Sequence, residues 1–201
     1  MFNDFLTTDS LQFGLKNNSC SHALFAFSES VKYFVNNGSK VYGAFSDASK
    51  AFDKVLHNGQ LKKLLDRGIL PLFVMLLRNW YSKLQSAVRW NNSVDEWFPI
   101  LCGVPQGGVL SPYLFAYYVD DLITWLQQSG YDIHISQVFF WCLLYADNIA
   151  LLSSFCYGLQ KLIDICSQYG FEWYIKFNPS IRMSANAKRG RECVHPLIMR
   201  A

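Results

Sequence analysis

Four residues, Tyr145-Ala146-Asp147-Asn148, lie between two strongly apolar runs, Val138 to Leu144 and Ile149 to Leu152. An acid and an amide have no packing role in such a place. The pattern predicts two strands joined by a tight turn, with Asp147 held at its tip. Asn and Asp suit turns because they tolerate positive φ and hydrogen-bond their own backbone. A carboxylate displayed on a rigid hairpin is half of a metal site, so a second carboxylate on another strand end is expected. Asp47 follows the apolar stretch Val41 to Phe45 and fits that role. Two such carboxylates on adjacent strands repel, and take up cations or protons. Hard oxygen ligands of this kind suit Mg²⁺, which keeps waters and recruits substrate phosphates. Two ions ~3.5–4 Å apart can activate an attacking hydroxyl and steady a leaving oxygen.

The chain has 201 residues, 51% hydrophobic and 16% aromatic, which is ample for a core. Its formal charge of +3 permits a nucleic-acid partner without arguing for one. Basic residues gather late, at Arg182, Lys188, Arg189, Arg191 and Arg200. The six cysteines include no CxxC pair, and the four histidines lack zinc spacing. They read as buried, reduced thiols of an intracellular protein of the cytoplasm or nucleus. The N-terminus carries Asp4 and Asp9 and does not read as a signal peptide. The run from Val138 to Leu152 is too short to span a bilayer and is broken by Asp147.

Helical spacing covers residues 21–36, followed by a strand over 41–46 that ends at Asp47. Helices are expected over 58–67, closed by Gly68, and from Pro71 to about Lys83. Strands are expected over 85–90 and 96–102, around an Asn91-Asn92-Ser93 turn. Ser111-Pro112 starts a helix that ends at Gly130, with Ser111 as cap and Pro112 preset for the first turn. A helix over 158–169 is stopped by Gly170, and a strand follows over 171–177. From Ile181 the pattern gives way to polar and basic residues with no core face, expected as a tail. The expected class is α+β: a mostly antiparallel sheet with helices on one face and the other face open to a long ligand.

Between the two acidic sites runs Gly103-Val104-Pro105-Gln106-Gly107-Gly108. Its three glycines allow close backbone approach, and the Gln106 amide can both donate and accept. Taken in order, these segments resemble the reverse transcriptase of non-LTR (LINE-type, jockey-like) retrotransposons. Phe45-Ser46-Asp47-Ala48-Ser49-Lys50-Ala51-Phe52-Asp53 is similar to the first catalytic motif of the polymerase palm. Gly103 to Pro112 is similar to the second, Pro-Gln-Gly then Leu-Ser-Pro. Tyr145-Ala146-Asp147-Asn148 is similar to the third, which is normally Tyr-Ala-Asp-Asp. Ile175-Lys176-Phe177-Asn178-Pro179 resembles the fourth, while Gln12-Phe13-Gly14 and Ser21-His22-Ala23 resemble the segment before the first. The likeness runs from about Leu11 to Pro179.

The resemblance implies a palm-type antiparallel sheet with partial fingers, divided as residues 1–40 (fingers and pre-palm), 41–180 (palm) and 181–201 (basic tail). It implies an RNA-directed DNA polymerase joining dNTP to a primer 3′-OH on an RNA template. Asp47 and Asp147 would hold two Mg²⁺ ions, or Mn²⁺ in their place, with help from the Ala48 carbonyl. Phe52 would exclude a ribonucleotide 2′-OH, Gln106 and Gly107 would contact nucleotide and template, and Tyr145 would lie near the primer end. Lys176 receives no general-acid role.

Asn148 stands where the family has a second Asp, so a full negative charge is lost beside two dications. The basic fingers segment, the thumb and the endonuclease are expected to be missing, which makes the chain a truncated, degenerate copy with impaired activity. The alternative is a non-catalytic remnant that binds RNA through its open sheet face and basic tail. A two-carboxylate hydrolase is disfavoured, because the glycine-glutamine loop would have no role in it.

Overall fold

The computed structural model describes residues 8–13, 20–131, 134–135, 138–139 and 142–186. Helix α1 (Cys20–Asn36) leads into strand β1 (Lys40–Ser49). Three helices follow: α2 (Ala51–Lys54), α3 (His57–Asp66) and α4 (Pro71–Ser82). The expected strand pair is four two-residue pieces: β2 (Gln85–Ser86) with β5 (Phe98–Pro99), and β3 (Arg89–Trp90) with β4 (Ser93–Val94). Then come helix α5 (Ser111–Gln128) and the short pair β6 (His134–Ile135) and β7 (Val138–Phe139). The chain continues through β8 (Cys142–Tyr145), β9 (Asn148–Ser153), helix α6 (Cys156–Trp173) and β10 (Lys176–Asn186). Among the described residues no helix is long and apolar enough to cross a membrane.

The main sheet has the order β10-β1-β9-β8, antiparallel throughout. Side chains alternate between its faces. On one face Ala44, Ala48, Ile149 and Leu151 join the main core, with Leu114, Phe115, Tyr118 and Leu122 of α5 and Leu159 and Leu162 of α6. On the other, Val41 and Leu152 pack with Phe27, Val31 and Phe34 of α1, and the Phe27 and Phe45 rings lie 5.2 Å apart. Helices on one face were expected, and α5 and α6 fulfil that. The sheet's second face is not left wholly open: α1 covers one end of it. Asp47 and Asn148 share this second face by alternation with Phe45 and Ala150.

Five local expectations are corrected. Ser111 does not cap α5; Leu110 holds that position, and the Ser111 hydroxyl donates to the Pro105 carbonyl. Gly170 does not end α6, which turns out at Tyr174 in the left-handed region (φ 58°). The glycine is needed because a Cβ there would collide with the carbonyl oxygen of Ile175, whose N–H donates to Gly170 (2.9 Å). The strand expected at 171–177 therefore starts at Lys176. Residues 181–186 are no tail: they pair with β1 from Lys40 to Phe45, past the boundary expected at residue 180. Lys188, Arg189, Arg191 and Arg200 lie outside the described residues. The five described cysteines are free, but Cys20 and Cys102 are exposed, against the expectation of burial.

The helical layer is tied by a buried charge network. Lys63, 3% exposed, donates to the Tyr118 carbonyl and the Tyr169 hydroxyl (both 2.6 Å), and pairs with Asp121 (3.0 Å). Its ammonium also lies 3.8 Å from the centre of the Trp173 ring. Arg67, one turn on, pairs with Asp120 (2.7 Å) and with Asp121. Asp120 also accepts the Asp9 N–H (2.9 Å), which ties residues 8–13 to α5. That segment then bridges the outer edge of β8, with Phe13 N–H donating to Leu144 (2.8 Å).

Burial lowers the Lys63 pKa from 10.5 to about 8, against the pull of Asp121. The folded state therefore releases this proton before the unfolded state does, so the Lys63 contribution to stability rises with pH between about 8 and 10.5. In Lys63→Met that titration is absent. Chemical denaturation from pH 7 to 10 should show wild type gaining on the order of 2–3 kcal/mol relative to Lys63→Met. Asp121→Ala should cost about 2–4 kcal/mol at pH 7, because it strips partners from Lys63 and Arg67.

Candidate active site

Strand β1 places Asp47 between two amides, opposite Asn148 of β9 and Asn178 of β10. The β8–β9 turn brings the second carboxylate. Tyr145 pairs with Asn148, leaving Ala146 and Asp147 as the two turn residues. The positive φ belongs to Ala146 (52°), not to the acid at the tip. An alanine in this region is strained, a cost that the flanking strand pairs offset. The turn is pinned to β1 directly, since the Ala48 N–H donates to the Asp147 carbonyl (2.9 Å). Asp47, Ala48 and Asp147 thus share one end of the sheet, and both acids are half-buried.

Asn148 is exposed, and its Nδ2 donates to Asp147 Oδ1 (3.0 Å). The amide thus supplies no charge and occupies one carboxylate oxygen. On the other side of Asp47, the Ser46 hydroxyl donates to the Asn178 carbonyl (3.0 Å), and Asn178 Nδ2 donates to the Ser49 hydroxyl. Pairing of β1 with β10 slips here: Phe45 faces Ile181 whereas Ser46 faces Pro179. A proline, lacking an N–H, belongs at such a bulge. Ser46, Ser49 and Asn178 thus tie β1 to β10 on either side of Asp47, a role that the sequence signals only through Asn178-Pro179, the mark of an interrupted strand.

The remaining expected residues gather after β1. Lys50 turns the chain in the left-handed region (φ 50°) into α2. The Phe52 ring packs on Phe115, centroids 4.7 Å apart. The loop 103–108 is laid against α2 by main-chain bonds: Gly103 N–H to Val55 and Val104 N–H to Phe52, both 2.8 Å. Gly103 has φ +92°, and a Cβ on it would sit 3.0 Å from the Asp53 Cα. Gln106 Nε2 donates to Asp53 Oδ1 (3.2 Å). Gly107 is exposed, with φ +83°. The structure thus forms two groups joined by β1 and α2: Asp47, Ala48, Tyr145, Asp147 and Asn148 at the sheet end, and Phe52, Gln106 and Gly107 on the loop side.

Among the described residues no three His, Cys, Asp or Glu side chains cluster as a metal site. Two aspartates beside a strand backbone nevertheless match what Mg²⁺ requires, one or two carboxylates with the rest of its shell left to water and phosphate.

The antiparallel sheet with Asp47 and Asp147 at one end, packed on α5 and α6, has the architecture of a polymerase palm. Residues 4–180 match the reverse transcriptase (RNA-dependent DNA polymerase) family, and the chain belongs to it. It is 28% identical over 150 residues to the RNA-directed DNA polymerase of the mobile element jockey of Drosophila melanogaster, covering 72% of this chain and 16% of that protein. It is 31% identical over 123 residues to the retrovirus-related Pol polyprotein of the type-2 retrotransposable element R2DM of the same species, covering 61% of this chain and 12% of that one. The chain thus spans about a sixth or less of the length of these relatives. In fold it is similar to telomerase from Candida tropicalis, solved with a fragment of telomeric RNA. The TM-score is 0.63 at 13% identity, covering 94% of this chain and 32% of that one.

Gly103→Ala tests the loop geometry. A side chain at this φ, pressed on Asp53, should cost about 2–3 kcal/mol in urea unfolding.

Proposed function

We propose that this chain is the palm of an RNA-directed DNA polymerase that joins dNTP to a primer 3′-OH along an RNA template, with its activity impaired at Asn148. The observation that carries this is the shared sheet end of Asp47 and Asp147, set by strand register and by the Ala48–Asp147 hydrogen bond. Asp47, Asp147 and the Ala48 carbonyl would hold Mg²⁺, or Mn²⁺ in its place. When bound, such ions neutralise the triphosphate and acidify the primer hydroxyl. Phe52, braced by Phe115, walls the sugar pocket against a 2′-OH. Gln106 and Gly107 face nucleotide and template, and Tyr145 supports the primer end. The reaction is attack of the primer 3′-oxygen on the α-phosphate, with pyrophosphate leaving. The free thiols fit a reducing compartment, cytoplasm or nucleus.

The Asn148 amide favours a second reading, a non-catalytic RNA-binding remnant. It removes one charge from the site and engages the remaining turn carboxylate. A lost charge at metal range raises a barrier by kcal/mol, and each 1.4 kcal/mol is about tenfold in rate.

Primer extension separates these readings. The 201-residue chain should give no template-dependent product with Mg²⁺ or Mn²⁺. Grafted into the jockey polymerase in place of the matching segment, Asn148→Asp should raise turnover at least about tenfold, and Asp47→Ala should abolish it. Product from the isolated chain that vanishes in Asp47→Ala would overturn the impairment. Equal turnover of the grafts with and without Asn148→Asp would remove Asn148 as its cause. Salt-dependent RNA binding unchanged by Asp47→Asn would favour the remnant.

A further inference from the structure

The loop that carries Gln106 is gripped from outside the motifs. His57, in the first turn of α3, lies 2.7 Å from the Gly103 carbonyl through Nε2. A carbonyl oxygen only accepts, so Nε2 must carry the proton and donate. The imidazole is also stacked flat on Tyr81 of α4, centroids 4.0 Å apart and planes within 3°. Tyr81 is itself fixed: it is 5% exposed, and its hydroxyl donates to Gln60 Oε1 (2.7 Å). Gln60 Nε2 in turn donates to the Leu114 carbonyl of α5 (2.8 Å). The loop therefore enters on a carbonyl anchored to α3 and α4, and leaves into a helix anchored to the same Gln60.

The far contact sets which end of the amide is presented. Asp53, as a carboxylate, only accepts, so Gln106 must turn Nε2 toward it. That leaves Oε1 as the acceptor end of the side chain.

We infer that His57 is a positioning residue for the Gln106 loop: its hydrogen bond to the Gly103 carbonyl sets the loop's entry, and Asp53 then orients the Gln106 amide with Oε1 free to accept from a ligand hydroxyl or amino group. The inference rests on reading this loop as the nucleotide-facing one, and it extends that reading to a residue on α3. The motif residues alone do not hold the loop. Its two main-chain bonds run to Phe52 of the four-residue helix α2 and to Val55 just after it, whereas His57 couples it to the α3–α4 pair.

The test uses the 201-residue chain, without catalysis or nucleic acid. Amide hydrogen exchange is followed at Gly103 and Val104, and the Gln106 side-chain NH₂ resonances by NMR. His57→Leu keeps an apolar contact with Tyr81 but removes the donor. Exchange at Gly103 and Val104 should rise about tenfold, the effect of losing one hydrogen bond, with the α5 core amides unchanged. The Gln106 resonances should move to those of Asp53→Ala. His57→Gln, which restores an N–H donor, should recover most of both effects.

Exchange that rises equally across α5 would mean a general stability role and would overturn the inference. So would unchanged exchange at Gly103 in folded His57→Leu. Should His57→Leu fail to fold, Asp53→Ala, at an exposed position, decides the orienting step: unmoved Gln106 resonances there would overturn it. His57→Gln would then decide the anchoring step by whether Gly103 exchange stays near wild type. A loop held as described in a chain that binds no nucleotide would leave the clamp standing and count against the polymerase reading instead.

Discussion

Strand β1 is paired on both sides. Along its ten residues, Lys40–Ser49, main-chain ladders join it to β10 over its whole length and to β9 from Tyr42 to Asp47. Because side chains alternate, a slip of one residue would exchange its faces. Asp47 would enter the core layer under α5 and α6, and Ala48 would take its place at the open end. The register is held by what each face requires: Ala44 and Ala48 fit under the helices, while Val41 and Phe45 meet α1. The position of the candidate site is thus a by-product of core packing. The same ladder carries the Asp147 turn, because β9 cannot pair with β1 without bringing that turn to Ala48.

The helical layer below the sheet is organised by charge as well as by apolar contact. Lys63 is buried among Tyr118, Tyr169 and Trp173, and Arg67 bridges Asp120 and Asp121. Such a network adds little net stability compared with apolar packing of the same volume, but breaking it is costly. Its contacts join α3, through Lys63, to Tyr118 and Asp121 of α5 and to Tyr169 and Trp173 of α6. Those helices carry the residues that fix the second half of the site: Phe115 beneath Phe52, and His57 and Gln60 beside the glutamine loop.

The residues of the candidate site stand out in the sequence where chemistry and local pattern coincide. An aspartate between two apolar runs, a second at a strand end and a glycine-glutamine loop before Ser-Pro are all unusual without a ligand. Their order carries the family resemblance, and that resemblance implied the palm architecture. What escaped were contacts that only packing creates. Lys63 received no role from the sequence, yet Gln60, Lys63, Leu64 and Arg67 fall at helical spacing, and Asp120-Asp121 interrupts an apolar helix. Those two signals together announce a buried pair. Gly170 read as a helix stop because glycines often end helices, whereas here it admits the returning chain. Ser111 read as a cap, but the Pro105 carbonyl competed for its hydroxyl. Residues 181–186 read as a tail because their sequence lacks apolar alternation, yet their backbone pairs with β1 as the edge strand of the sheet.

The chain belongs to the reverse transcriptase family, and its palm-type sheet brings Asp47 and Asp147 to one end. On the proposed reading these two would be the metal ligands, and the Asn148 amide donates to Oδ1 of one of them, Asp147. Titration of the chain with Mn²⁺, followed by electron paramagnetic resonance, tests the shared site most directly. Saturable binding is expected, lost in both Asp47→Asn and Asp147→Asn and tightened about tenfold by Asn148→Asp. Binding that survives either aspartate substitution, or no binding even with Asn148→Asp, would refute a site shared by the two aspartates.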